Sequence, residues 1–158
     1  MKPTWSKFWL EYPDYGTYPD SAVVKKEIGG SVDAAYIKNT CAVRLSRGLN
    51  YSGATVPGNF AGLMVVKGAD GKFYALRVAE MRKWLPAVLG TPDFDHRKKS
   101  GATFDKSTIA SSKGIIAFDI QFSDATGHLD AWDGASFSSE YKVSDYWTPA
   151  TRITLWKL

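Results

Sequence analysis

The chain has 158 residues, 44% of them hydrophobic and 23% charged, and its 20 Lys and Arg against 16 Asp and Glu give a formal net charge of +4. That is the length of one domain, read here as residues 1–158, with enough apolar material for a real core, which excludes a disordered tail or a low-complexity linker. One cysteine and two histidines exclude an intrachain disulfide and a Cys/His zinc site closed by this chain alone, and no run approaches the ~20 apolar residues of a membrane span, so neither a metal or other cofactor nor membrane insertion is expected.

The amino terminus, Met1-Lys2-Pro3-Thr4-Trp5-Ser6-Lys7-Phe8-Trp9, lacks the apolar core of about 7–15 residues that marks a secretory signal peptide. The expectation is a protein made in the cytoplasm and exported, where it is exported, by another route. Thr4 is placed to cap a first helix in which Trp5, Phe8, Trp9 and Tyr12 recur at i, i+3, i+4 and i+7, a stripe read as core, and Pro13 ends it. Residues 15–19 read as a loop. Asp20 then caps a short helix through Val24 and Ile28, which Gly29-Gly30 closes.

The segment from Asn39 to Asn50 is an amphipathic helix, with Cys41, Ala42, Leu45 and Leu49 on one arc and Arg44, Arg47 and Asn50 on the other. Asn39 and Thr40 are both N-cap types, which sets the thiol in the first turn, where free N–H groups and the helix dipole favour a thiolate. A lone cysteine on an apolar arc also reads as a small core residue. The runs 62–66 and 72–76 flank an Asp70-Gly71 turn and predict a β-hairpin. A helix follows over about Val78 to Leu89, with Pro86 expected to kink or restart it and Gly90 to stop it. From Thr91 to Lys113 the chain is polar and reads as a long surface excursion, with His96 and the basic cluster 97–99 on a solvated face.

The strongest strand signals come last: Gly114 to Phe122, then Gly127-His128-Leu129-Asp130-Ala131-Trp132 with an Asp133-Gly134 turn and a returning segment, then Arg152 to Leu158. Helices first and strands afterwards point to an α+β fold in which the helices, the Cys41 helix among them, pack on an antiparallel sheet.

Alternation puts His128, Asp130 and Trp132 on one face of their strand. A strand histidine facing the start of a cysteine-bearing helix is placed to take the thiol proton, and such a base needs a third group to orient its ring. With a two-residue turn at Asp133-Gly134, His128 opposes Ser139; with a three-residue loop it opposes Glu140, with Asp145 behind them. Glu140 is the better acceptor for a ring N–H and is taken as the third member. Asp130 lies two residues along the same strand, out of direct reach of the ring unless the strand bends.

Over nearly the whole chain, Ile28-Gly29-Gly30, Asn39-Thr40-Cys41 with Arg44, Gly68-Ala69-Asp70 with Lys72-Phe73-Tyr74, Arg77-Val78 with Met81, Lys113-Gly114-Ile115-Ile116, Gly127-His128 with Trp132 and Gly134, and Leu155-Trp156 occur in an order that resembles the fourth family of type VI secretion amidase effectors. These are papain-like, NlpC-type cysteine peptidases. The resemblance implies a peptidoglycan DL-endopeptidase that cuts the amide between D-glutamate and meso-diaminopimelate, with Cys41 as nucleophile and His128 as base. It also implies loading onto a secretion-tube component of the type VI apparatus, action in the periplasm of a rival cell, and a cognate immunity protein as partner, with no nucleic acid involved. Familiar members carry a catalytic Asp between two cysteines; counted from His128 those positions are Phe137, Ser139 and Tyr141, so the Asp position holds Ser and the disulfide is missing. The readings that compete with it are a basic non-catalytic module for an anionic polymer, wall or nucleic acid, and a housekeeping NlpC-type wall hydrolase.

Overall fold

The computed structural model describes residues 1–143 and 145–158. Its helices are α1 (Trp5–Glu11), α2 (Ser21–Ile28), α3 (Cys41–Ser52) and α4 (Val78–Leu89). The aromatic spacing of α1 buries Phe8 and, just past its end, Tyr12 in the core beside α3, whereas Trp9 stays exposed and stacks on Trp5 with centroids 5.2 Å apart. Asp20 caps α2 by accepting the Val23 N–H at 3.0 Å. Past the end of α2, Gly30 has φ 62°, and a Cβ there would stand 2.6 Å from the Ala69 N, so conformation and space both require glycine.

Helix α3 is embedded more deeply than a two-faced helix. Cys41, Ala42, Leu45 and Leu49 enter the core as their spacing predicts, but Arg44 and Asn50, expected toward solvent, are buried as well. The physical reason is that backbone covers the polar arc and each polar side chain there satisfies it. Asn50 donates to the Phe73 carbonyl and accepts the Val56 N–H, both at 2.8 Å, and Ser46 Oγ accepts the Ala75 N–H at 3.0 Å.

The expected hairpin forms as β1 (Val65–Lys67) and β2 (Phe73–Ala75), shorter than its apolar runs, with Asp70 Oδ1 accepting the Lys72 N–H at 3.0 Å and Gly71 at φ 77° in the turn. Helix α4 passes through Pro86 without a break and closes where the Gly90 N–H meets the Pro86 carbonyl at 3.0 Å. Among the described residues no helix is long and apolar enough to cross a membrane.

Four further strands, β3 (Phe94–Arg97), β4 (Gly114–Asp119), β5 (Gly127–Trp132) and β6 (Arg152–Lys157), make an antiparallel sheet in the order β3-β6-β4-β5. Strand β3 corrects the surface excursion expected over 91–113. Only Phe94 in it is apolar, so alternation is hard to see, yet it pairs along β6 and fixes the exposed His96 on the sheet edge. Ile115, Ala117, Leu129, Ala131 and Trp156 face the core shared with α3 and α4, while Ile116, Phe118, Trp132, Ile153 and Leu155 face a second core with Phe137. Because β5 is an outer strand, side chains from the α1–α2 connection and from α3 can meet its residues around the sheet edge.

Candidate active site

Cys41 is the first residue of α3, and its N–H donates to Asn39 Oδ1 at 3.1 Å. Thr40 occupies the cap position without capping; its hydroxyl lies 3.1 Å from Ser21 Oγ and 3.4 Å from the Arg44 Nε that donates to it. The sulfur is nearly covered, with 2% of the residue exposed.

Cys41 lies near enough to His128 on β5 to raise the pKa of its ring. Nε2 of the ring lies 3.0 Å from Asp130 Oδ2 and 3.1 Å from Ser139 Oγ. Facing a carboxylate, Nε2 carries the ring proton in the neutral imidazole, which leaves Nδ1 as the acceptor for the thiol proton. Tyr146 and Tyr15 flank the ring, with centroids at 4.9 and 6.3 Å.

The carboxylate behind His128 is therefore Asp130 and not Glu140. Two residues of strand separate their Cα atoms by ~6.7 Å, and the two side chains span that gap to bring Nε2 within 3.0 Å of Oδ2. Asp130 is fully buried and has every lone pair in use: Oδ1 accepts the Tyr12 hydroxyl and the Ala131 N–H, each at 2.8 Å, and Oδ2 accepts the Ser139 N–H at 2.9 Å and the Ser139 hydroxyl at 2.6 Å in addition to His128.

The turn explains where the expected partners went. Asp133 Oδ1 accepts the N–H groups of both Ala135 and Ser136 at 2.8 Å, which draws four residues into the loop, and Trp132 bridges to Phe137. Two residues further along each side, Ser139 stands level with Asp130 and not with His128. Glu140 begins a 3₁₀ turn and accepts from Trp147 Nε1 at 2.7 Å, Lys106 Nζ at 3.2 Å and the Phe137 N–H at 3.3 Å. Asp145 caps its own turn through the Trp147 and Thr148 N–H groups at 2.8 and 3.2 Å. Phe137 and Tyr141, on either side of Ser139, are fixed without sulfur. Phe137 is buried and stacks on Tyr146 at 5.6 Å, and the Tyr141 hydroxyl donates to the Tyr15 carbonyl.

Burial works against a charge on His128, but its hydrogen bonds to Asp130 and Cys41, and the negative charge of both, win and hold its pKa up to about 9. Burial likewise opposes the Asp130 carboxylate, and the bonds from His128 and Ser139 overcome it and keep its pKa below the usual carboxylate range. The Tyr12 phenol is pushed up by burial and by Asp130, so it stays a donor. Sequence reasoning missed Tyr12 in this role; the signal was a tyrosine inside a buried aromatic stripe, whose hydroxyl has to find a partner.

A cleft of about 430 Å³ opens beside the ring, bounded by Tyr15, Asn39, Asp124, Ser139, Lys142 and Tyr146. Its wall over residues 13–20 is bolted to α3 by Arg44, which is fully buried. The guanidinium donates to the carbonyls of Pro13 at 2.7 Å, Tyr18 at 2.8 Å and Asp20 at 3.2 Å, and lies 3.8 Å from the centroid of the Tyr15 ring.

The family described as type VI secretion system amidase effector protein 4 matches residues 37–156. The chain belongs to this family of type VI amidase effectors. Solved relatives of the effector share its architecture from end to end. The effector in the effector–immunity complex Tae4–Tai4 from Enterobacter cloacae is 31% identical, with 100% of this chain and 99% of that one covered and a TM-score of 0.86. The corresponding Salmonella typhimurium protein is 29% identical at the same coverage and TM-score, and the effector Tae4 from E. cloacae alone is 32% identical, covering 100% and 98%, at 0.83. No curated protein sequence matched. The resemblance read from the sequence and the papain-like, NlpC-type α+β fold both hold for this effector.

Proposed function

We propose that this effector is a cysteine amidase that cleaves the D-glutamate–meso-diaminopimelate bond of peptidoglycan. The observation that carries the reading is the His128 ring bonded to the buried Asp130 carboxylate, with Cys41 near enough to raise its pKa. With its pKa held up to about 9, His128 is charged at neutral pH and keeps at Nδ1 the proton that Cys41 gives up, and the Cys41 sulfur attacks the amide carbonyl. Asp130 steadies the imidazolium, which then protonates the departing amine of diaminopimelate. Water, deprotonated by the same ring, releases the glutamyl acid from the thioester. The Cys41 N–H serves the oxyanion once the exposed Asn39 turns aside, at the positive end of α3. Asp130 takes the place in this scheme that Glu140 was expected to fill.

The family supports delivery by the type VI apparatus, in contact with a tube component, to the periplasm of a rival cell. The relatives solved with an immunity protein support a cognate immunity protein as a partner of this effector. Purified protein and its Cys41→Ala variant, incubated with isolated sacculi, test the chemistry by mass analysis of released muropeptides. Wild type is expected to release fragments with a new diaminopimelate amino terminus, the variant at least about a thousandfold fewer. Equal release by both overturns the assignment.

A further inference from the structure

Beyond the catalytic group, cations gather where α4 crosses the sheet. Strands β3 and β6 set Arg97 and Arg152 directly opposite each other on one face. Like charges in that position cost stability. Helix α4 adds Arg82, which donates to Asp119 and to the Thr154 hydroxyl, and Lys83 next to it. The balancing carboxylates are Asp119 and Asp95, the second held by Arg152 through two bonds of 2.7 and 2.6 Å. Among the described residues, Arg97 and Lys83 have neither a side-chain hydrogen bond nor an ion pair, so the cluster keeps a surplus of positive charge. Burial, and then the nearness of Arg152 and Arg97, hold the Arg82 pKa below the usual guanidinium range although Asp119 opposes them.

This surplus borders a depression of about 520 Å³ between α4 and the sheet, with Thr154 and Trp156 among its lining and Val78, Pro86 and Pro92 as apolar walls. Small-molecule sites commonly hold ~300–1,000 Å³ and combine apolar walls with a few polar anchors. It is joined to the catalytic cleft: it shares Val78, Ala79 and Thr126 with a hollow of about 300 Å³, and that hollow shares Asn39 and Asp124 with the cleft beside His128. One line of register crosses the sheet from Gly127 to Asp119, Arg152 and Arg97. At ~4.8 Å per strand, Arg152 lies about 10 Å and Arg97 about 14 Å from Gly127 on the α4 face of the sheet, and the His128 ring on the opposite face is reached around the β5 edge. An extended peptide covers that distance in roughly three to four residues.

We infer that Arg82, Arg97 and Arg152 form a subsite for the terminal carboxylate of a wall peptide whose scissile amide lies at Cys41. The inference rests on the amidase reading above. Counting from that amide, a stem that retains both of its D-alanines has the required length, so the subsite selects uncleaved pentapeptide ends.

The probes are L-Ala-γ-D-Glu-meso-diaminopimelyl-D-Ala-D-Ala as the free acid and as its carboxy-terminal amide. Binding to Cys41→Ala protein is measured by calorimetry, and hydrolysis is followed with the active protein. The free acid is expected to bind roughly tenfold tighter, as one charge-assisted contact to arginine provides. Adding Arg97→Ala, an exposed position whose side chain has no hydrogen bond among the described residues, or Arg82→Met should bring that ratio close to one, with melting temperature as the check on folding. Equal binding of acid and amide, or a ratio that survives both substitutions, overturns the subsite and leaves the amidase reading standing. A tenfold ratio that both substitutions abolish, with neither peptide cut by active protein, supports the subsite and counts against the amidase reading alone.

Discussion

Replacing Asp130 by Asn keeps the shape of the side chain and removes its charge. In whichever sense the new amide is turned, its NH2 faces a backbone N–H, that of Ala131 on one side or Ser139 on the other, which thereby loses its acceptor. One unsatisfied buried donor costs about 1–3 kcal/mol. For a chain of this size that lowers the melting temperature by roughly 4–8 °C at the middle of the range. The larger effect is on His128, whose pKa of about 9 depends on Asp130 before Cys41. Because the folded value is raised, the stability it contributes is complete below the unfolded value of ~6.5 and is lost as the pH climbs through about 9. Asp130→Asn should therefore flatten the fall in stability between those two pH values. It should also move the alkaline limb of kcat/KM down by at least about one unit, because the leaving amine needs the ring proton. The rate at neutral pH should fall by about a hundredfold or more, as loss of the orienting carboxylate does in related triads. The assay is the pH profile of stem-peptide hydrolysis, with Glu140→Gln, expected to keep its rate within about threefold, run beside it. An Asn variant with an unmoved alkaline limb, or an inactive Glu140→Gln, would refute the assignment of Asp130.

Ser139→Asp restores the residue that the family usually has, yet here it sets a second carboxylate against Asp130 Oδ2, now 2.6 Å from the Ser139 hydroxyl. One of the two must take up a proton, and hydrolysis at neutral pH should drop about tenfold or more, whereas an active variant would show that either position serves. Arg44→Leu strands the carbonyls of Pro13, Tyr18 and Asp20; urea unfolding should register a loss of about 3 kcal/mol or more through a lower midpoint at unchanged slope. Gly30→Ala forces a Cβ against the Ala69 backbone at positive φ, and a melting temperature within about one degree of wild type would contradict that account.

The elements with strong punctuation were legible in the chain. Asp20, the Gly29-Gly30 pair and Gly90 mark helix ends that the structure keeps, and α4 spans Val78–Leu89 as its spacing predicts. Strand β3 was not legible, because its pairing with β6 leaves a single apolar residue to announce it. Cys41 and His128 stood out by residue type and element. The third group escaped for two geometric reasons. Counting Cα positions along β5 ignored the length of an imidazole ring, and hairpin register depends on a loop length that Asp133 sets with its side chain, not with the Asp-Gly pair. The burial of Arg44 was hidden because helical spacing reports which residues share a face and says nothing of what covers it.

The segment behind His128 is fastened by the Phe137 stack and the Tyr141 hydroxyl, where familiar members of the family have a disulfide. Nothing in those contacts gains or loses electrons. The support of the site thus assembles alike in a reducing and in an oxidising compartment, and Cys41, the proposed nucleophile, is the sulfur whose oxidation state would matter to the reaction. On the amidase reading, the effector is ready to act as soon as it folds. A partner that restrains it in the cell that makes it therefore works on the folded protein, since withholding an oxidant would leave it fully assembled.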